Sequence, residues 1–109
     1  MRTLTWFMDV PPLGASGRES YRMDGSYTPV RAWVHCEQAP AAEEVVFDIT
    51  ADGVSLFAYA LRIQDSTDED ENDFSSVQIS KDTIVSLAVT SRGGNPGSGM
   101  TVGLELEDA

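Results

Sequence analysis

"PVRAWVHCEQAPAAEEVVFDITADGVSLF", residues 29–57, is the stretch whose reading decides the fold. From Val30 to Cys36, the apolar or small residues Val30, Ala32, Val34 and Cys36 occupy alternate positions, with Arg31, Trp33 and His35 between them. From Glu44 to Thr50, Val45, Phe47 and Ile49 alternate with Glu44, Asp48 and Thr50, and Val46 is the exception. Two is the side-chain period of a strand, so each segment reads as a strand with one face buried and one solvated. Ala39-Pro40 marks the loop between them, and Asp52-Gly53 is the dipeptide of a tight hairpin turn.

The same period extends outward. Near the C-terminus Met100, Val102, Leu104 and Leu106 alternate with Thr101, Gly103, Glu105 and Glu107. Thr3 to Met8, Glu19 to Met23, Val54 to Arg62, Ser75 to Ile79 and Thr83 to Thr90 are further strand candidates, the last two joined through Ser80-Lys81-Asp82. No window carries the i, i+3, i+4 spacing with caps that a helix requires. A single domain, residues 1–109, is expected: an all-β, antiparallel, jelly-roll-like β-sandwich of about eight short strands. Three segments read as loops: "PPLGASGRES" after the first strand, the acidic block "QDSTDEDEND" from Gln64 to Asp73, and "SRGGNPGSG" from Ser91 to Gly99.

Charge narrows the function. The chain carries 18 acidic against 7 basic side chains, a formal net charge of −11. Such a surface repels nucleic-acid phosphates and anionic membranes, so neither is an expected partner. No apolar run approaches the roughly 20 residues of a spanning helix, and "MRTLTWFMDVPP" lacks the form of a secretory signal. Synthesis and retention in the cytoplasm are the expectation. One cysteine, Cys36, excludes an internal disulfide and reads as a small buried hydrophobe.

Chemistry-bearing motifs are sparse. The carboxylates from Asp65 to Asp73 suggest calcium, but they lack the D-x-[DN]-x-[DN]-G spacing and a glycine to turn the loop about an ion. A solvated loop is the better reading. The single histidine, His35, lies on the Arg31-Trp33 face, and no serine occupies a G-x-S-x-G setting. No metal, cofactor or catalytic residue is therefore expected, and a small hydrolase is a remote alternative.

The polar face of the Val30–Cys36 strand is different. Arg, Trp and His standing in a row form a combination enriched where proteins meet partners, and Tyr27 and Tyr59 are candidates to extend it. Trp6 and Phe7 are neighbours and face opposite ways, so one is expected in the core and one toward a partner. The expected contact residues are Trp6, Phe7, Arg31, Trp33 and His35, within the segment from Met1 to Val10 and the strand face.

The stretch "YTPVRAWVHCEQAPAAEEVVFDITADGVSLF" also resembles a small β-sandwich module found among virion proteins of tailed bacteriophages and prophages. The pieces that carry the resemblance are Arg31 and Trp33, Ala39-Pro40, Phe47-Asp48-Ile49, Asp52-Gly53, and Ser55 with Phe57. The final turn and strand from Asn95 to Glu107 is similar as well, so the likeness runs from Tyr21 to the C-terminus. It implies a non-enzymatic structural or adhesive role in a virion. With no coiled-coil shaft or carbohydrate-binding tip in this sequence, the first expectation is a capsid decoration protein. Such a protein binds the major capsid protein in many copies on the shell, often as a trimer. A tail-fibre or receptor-binding component is the alternative, acting through "PPLGASGRES" or "SRGGNPGSG".

Overall fold

The computed structural model describes residues 2–15, 20–75 and 78–109. Its strands are β1 Arg2–Met8, β2 Gly14–Ala15, β3 Tyr21–Arg22, β4 Tyr27–His35, β5 Val45–Ala51, β6 Val54–Ser55, β7 Leu61–Ile63, β8 Asp68–Glu71, β9 Ile84–Ser91 and β10 Met100–Asp108. They form a four-stranded sheet, β1-β10-β4-β8, and a six-stranded sheet, β2-β9-β5-β6, in which β3 also pairs with β9 and β7 with β5. Both sheets are four strands wide, because β2 and β3 share one edge of β9 and β6 and β7 share the far edge of β5. Counting each shared edge once leaves eight positions, ordered 1-8-3-6 and 2-7-4-5. That is the jelly roll expected from the alternation, and the strand pairings among the described residues are antiparallel.

The alternating residues fill the space between the sheets. Leu4, Trp6 and Met8 of β1, Ala32 and Val34 of β4, and Met100, Val102, Leu104 and Leu106 of β10 face Val45, Phe47 and Ile49 of β5 and Val85, Leu87 and Val89 of β9, all buried. Leu61 and Ile63 of β7, with Met23, Leu56, Phe57 and Ile79 from the connections, close the sides. Two more contacts bind one open side of the sandwich. The Trp6 and Tyr21 rings meet edge to face at 5.4 Å, and the Tyr21 hydroxyl donates to the Thr5 carbonyl at 2.6 Å.

The Asp52-Gly53 expectation holds in detail. Ala51 pairs with Val54 across a two-residue loop, with φ of 50° at Asp52 and 84° at Gly53, the positive pair that a type I′ hairpin requires. The Asp52 carboxylate also accepts the Ile84 amide at 2.9 Å, tying this hairpin to β9.

Some boundaries differ from expectation. The segment Val54 to Arg62 is two short strands rather than one, because it leaves the edge of β5 between Ser55 and Leu61. The acidic block is not wholly a loop: Asp68–Glu71 is strand β8 at the edge of the four-stranded sheet. Four successive carboxylates give no apolar alternation, yet an edge strand needs only one neighbour's backbone to hold it. Of the expected strands at 19–23 and 75–79, residues 19, 76 and 77 lie outside the described residues. Tyr21–Arg22 forms β3, and Ile79 makes an isolated bridge to Tyr27.

Phe47 is wholly buried at the centre of the six-stranded sheet. Phe47→Ala is expected to destabilise the domain by about 3–5 kcal/mol, lowering its guanidinium unfolding midpoint, whereas an unchanged midpoint would place Phe47 outside the core.

Candidate interaction surface

The outward face of the four-stranded sheet is set by register. Arg31 pairs with Glu105 and Glu105 with Thr3; Trp33 pairs with Gly103 and Gly103 with Thr5; His35 pairs with Thr101 and Thr101 with Phe7. On the other side of β4, Trp33 faces Asp70 and His35 faces Asp68. Four of the expected contact residues therefore share one face: Arg31, Trp33 and His35 in a column on β4, and Phe7 at the end of the His35 row. Trp6 is the correction. It is 1% exposed and packed in the core, because adjacent strand residues point oppositely and the larger apolar ring filled the sandwich.

Tyr27 and Tyr59 do not extend this column. Between Glu105 and Leu106 the register shifts, so that Arg31 faces Glu105 but Pro29 faces Leu106, leaving Val30 as an extra residue in β4. Such a bulge reverses the alternation, so Pro29 is buried and Tyr27 packs partly against the core. The Tyr27 hydroxyl donates to Asp24 at 2.5 Å, and this bond, followed by the charge of Arg2, holds the Asp24 carboxyl below the usual aspartate range. Tyr59 is exposed in the link between β6 and β7, at the edge of the other sheet.

Arg31 ties three strands together. Its Nε donates to Asp70 of β8 at 3.0 Å and its Nη1 to Glu105 of β10 at 2.7 Å. His35 Nδ1 and Asp68 Oδ1 are 2.7 Å apart, with side chains 53% and 71% exposed. These partners face one another across neighbouring strands, which is how an all-acidic strand is held at an edge. The His35 bond is the largest influence keeping the Asp68 carboxyl below the usual range. Glu69 and Glu71 lie opposite Val34 and Ala32, on the inner side of β8, and charges placed there discourage another sheet from adding to this edge.

Trp33 lies down on the sheet. A Cβ built on Gly103 would overlap the indole, meeting its ring-fusion carbon Cε2 first and that atom's neighbours Cζ2 and Nε1 next. That order of approach means the ring presents its face to Gly103. The strand "MTVGLELED" thus has its glycine at the outward position where the indole rests. Trp33 is half-buried, outside the core between the sheets.

The expected contact segment from Met1 to Val10 and the following "PPLGASGRES" loop hold further exposed apolar residues that were not singled out from the sequence. Phe7 is 61% exposed, and the following loop adds Val10 at 49% and Leu13 at 60%. Val10 borders a hollow of about 260 Å³ shared with Gln38, Ala39, Ala41, Gly94, Asn95, Pro96 and Gly97. The loops around it are laced by backbone bonds: Gln38 and Ser98 exchange amides, Ala41 N donates to Asn95 O at 3.0 Å, and Gly99 N to Asp9 O at 2.7 Å. Arg92 Nη1 reaches the Pro11 carbonyl at 2.9 Å. The glycine-rich "SRGGNPGSG" segment is accordingly a braced wall. Of "PPLGASGRES", residues 16–19 lie outside the described residues. Isolated Val and Leu beside prolines gave no periodic signal by which to find this corner.

The Cys36 thiol points inward toward the Ser66 carbonyl at 3.5 Å, and burial, then the charge of Asp68, pushes its pKa up, away from a thiolate nucleophile. Among the described residues no group of three or more His, Cys, Asp or Glu side chains is placed to hold a metal ion. The carboxylates of β8 alternate between two faces and do not converge. What the surface offers is shape, an aromatic ring, apolar side chains and fixed charge. No protein-family model matches the chain, and neither does any curated protein or solved structure.

His35→Ala is expected to raise the Asp68 pKa toward its ordinary value, followed by the carboxyl carbon signal in an NMR titration. The lowered value means that ionised Asp68 favours the folded state above the ordinary aspartate range, about pH 3.9, and that this contribution fades as pH falls through the folded pKa. An unchanged titration in the variant would contradict the pairing.

Proposed function

We propose that this chain is a structural docking protein that binds a repeating protein surface. In the setting indicated by its resemblance to phage virion modules, that surface is the capsid shell of a tailed bacteriophage and the role is capsid decoration. The observation that carries the reading is the run of exposed apolar side chains at and just after the end of β1, on a protein of net charge −11. Phe7 of β1, and Val10 and Leu13 in the segment that leads from β1 to β2, are all exposed, and Phe7 ends the Thr101–His35 row of the four-stranded sheet. Exposed apolar side chains gathered at one site mark contact surfaces, and large aromatic groups beside an arginine are the residues that most often carry binding energy.

The remaining surface suits the role. The strong net negative charge keeps many copies from associating when crowded on a shell. Hydrogen bonds to the Asp9 and Pro11 carbonyls brace the segment that carries Val10, which lowers the ordering entropy lost on contact. An interface of about 800 Å² per partner would be a standard one. Self-association as a trimer around a capsomer and contact with the major capsid protein belong to this proposal.

Co-sedimentation with mature empty shells of the encoding phage tests it. The protein should pellet with shells, and Phe7→Asp should weaken binding by roughly tenfold or more while leaving the unfolding midpoint intact. Val54→Asp, equally exposed on the hairpin at the opposite end of β5, should bind as the unaltered protein does. Binding to host cells in place of shells would favour the receptor-binding alternative, and equal loss from both substitutions would contradict the assigned corner.

A further inference from the structure

Strand β1 is an open edge of the four-stranded sheet, and it differs from the other edges of the sandwich. β8, the opposite edge, is four residues long, and its inward Glu69 and Glu71 discourage pairing. The six-stranded sheet ends in short pieces, two residues each in β2, β3 and β6 and three in β7. β1 runs for seven residues, "RTLTWFM", with no proline, glycine or carboxylate, and its register with β10 is unbroken. Its one charge, Arg2, is paired with Asp24 at 2.7 Å. Long, regular edges of low charge are templates for strand addition.

The alternation of backbone bonds shows what this edge offers. Cys36 N donates to Thr67 O at 2.8 Å, continuing the β4–β8 ladder. Even-numbered residues of β4 therefore direct N–H and C=O toward β8, and odd-numbered ones toward β10. In an antiparallel pair, facing residues exchange both bonds or neither. Gly103, opposite Trp33, is thus bonded to β4, while Val102 and Leu104 are bonded to Trp6 and Leu4 of β1. Thr3, Thr5 and Phe7 are left with N–H and C=O directed off the sheet. The Tyr21 hydroxyl reaches the middle one, donating to Thr5 O at 2.6 Å. Among the described residues no other bond reaches these groups.

We propose that the Tyr21 hydroxyl is an intramolecular block on β1: while it holds Thr5 O the edge stays single, and without it a second copy of the chain adds there, β1 antiparallel to β1. This goes beyond docking on a shell and does not depend on it. A capped middle carbonyl leaves one bonding residue on each side, too little to hold a strand. Uncapped, the edge is complementary to its own reverse. With a two-fold axis at Thr5, Thr5 faces Thr5 and Thr3 faces Phe7 of the other copy, and all three residues exchange bonds. Charge points to the same occupant. Copies of net charge −11 repel one another, and β1, which has no carboxylate, lets two approach closely. The Tyr21 ring is held by Trp6, edge to face at 5.4 Å, so the hydroxyl stays aimed at the edge. Copies gathered at high concentration thereby keep their sheets separate.

Amide hydrogen exchange by NMR on the intact protein, with sedimentation equilibrium beside it, tests the block. In the unaltered protein Leu4, Trp6 and Met8 should be protected, and Thr3, Thr5 and Phe7 should exchange freely at every concentration. Tyr21→Phe keeps a ring against Trp6 and removes the hydroxyl; Tyr21→Leu replaces it if that chain fails to fold. The Thr3, Thr5 and Phe7 amides of the variant should become protected as concentration rises, with pairing at least about tenfold tighter than in the unaltered protein. Adding Thr5→Lys, an exposed change that sets like charges face to face at the axis, should reverse both effects. Protection of the three amides in the unaltered protein, a hydroxyl-free variant that stays unpaired, or association that survives Thr5→Lys would each overturn the proposal.

Discussion

The outer face of the four-stranded sheet depends on β10. This strand lies between β1 and β4, and its inward residues Met100, Val102, Leu104 and Leu106 are buried with those of both neighbours. A strand has only two faces, so burial of this row fixes Thr101, Gly103 and Glu105 outward. Through the register it also fixes Phe7 on one neighbour and Arg31, Trp33 and His35 on the other. The candidate surface is thus a consequence of core packing. A one-residue slip of β10 would turn the core row to solvent and dismantle the surface at once.

Glycine 103 adds a second constraint on that strand. The alternation of β10 asks for an outward polar residue, and glycine weakens a strand interior because it has no side chain to pack. Here the indole of Trp33 supplies the missing cover, burying Gly103 from outside. The exchange joins β4 to β10 by side-chain contact, as Arg31 does by charge through Glu105. Arg31 and His35 in turn hold β8, whose acidic side chains would otherwise have little reason to stay beside the sheet. Interaction chemistry and sheet integrity share the same residues.

The strands with one apolar and one polar row were legible in the sequence because burial demands that pattern. The jelly roll followed from their number and the absence of helical spacing. The Arg31-Trp33-His35 column was legible for the same reason. Strand β8 was not, since its stability comes from backbone pairing with β4 and from charges supplied by another part of the chain. Tyr27, a candidate to extend that column, does not, because a bulge at Val30 is a property of the pairing, invisible in either strand alone. The choice between Trp6 and Phe7 depended on which parity the rest of β1 required, and Leu4 and Met8 answered it for Trp6. Val10 and Leu13 became meaningful only when the loops around them were seen to be braced.

The most direct test of the account is a cryo-electron microscopy map of particles carrying the protein, with the chain placed by its strands. The account predicts many copies over the head, each with the Phe7–Val10–Leu13 corner and the Trp33 face turned toward the shell and the remaining acidic surface turned outward. Copies bound through the six-stranded sheet, or found only at the tail, would contradict it.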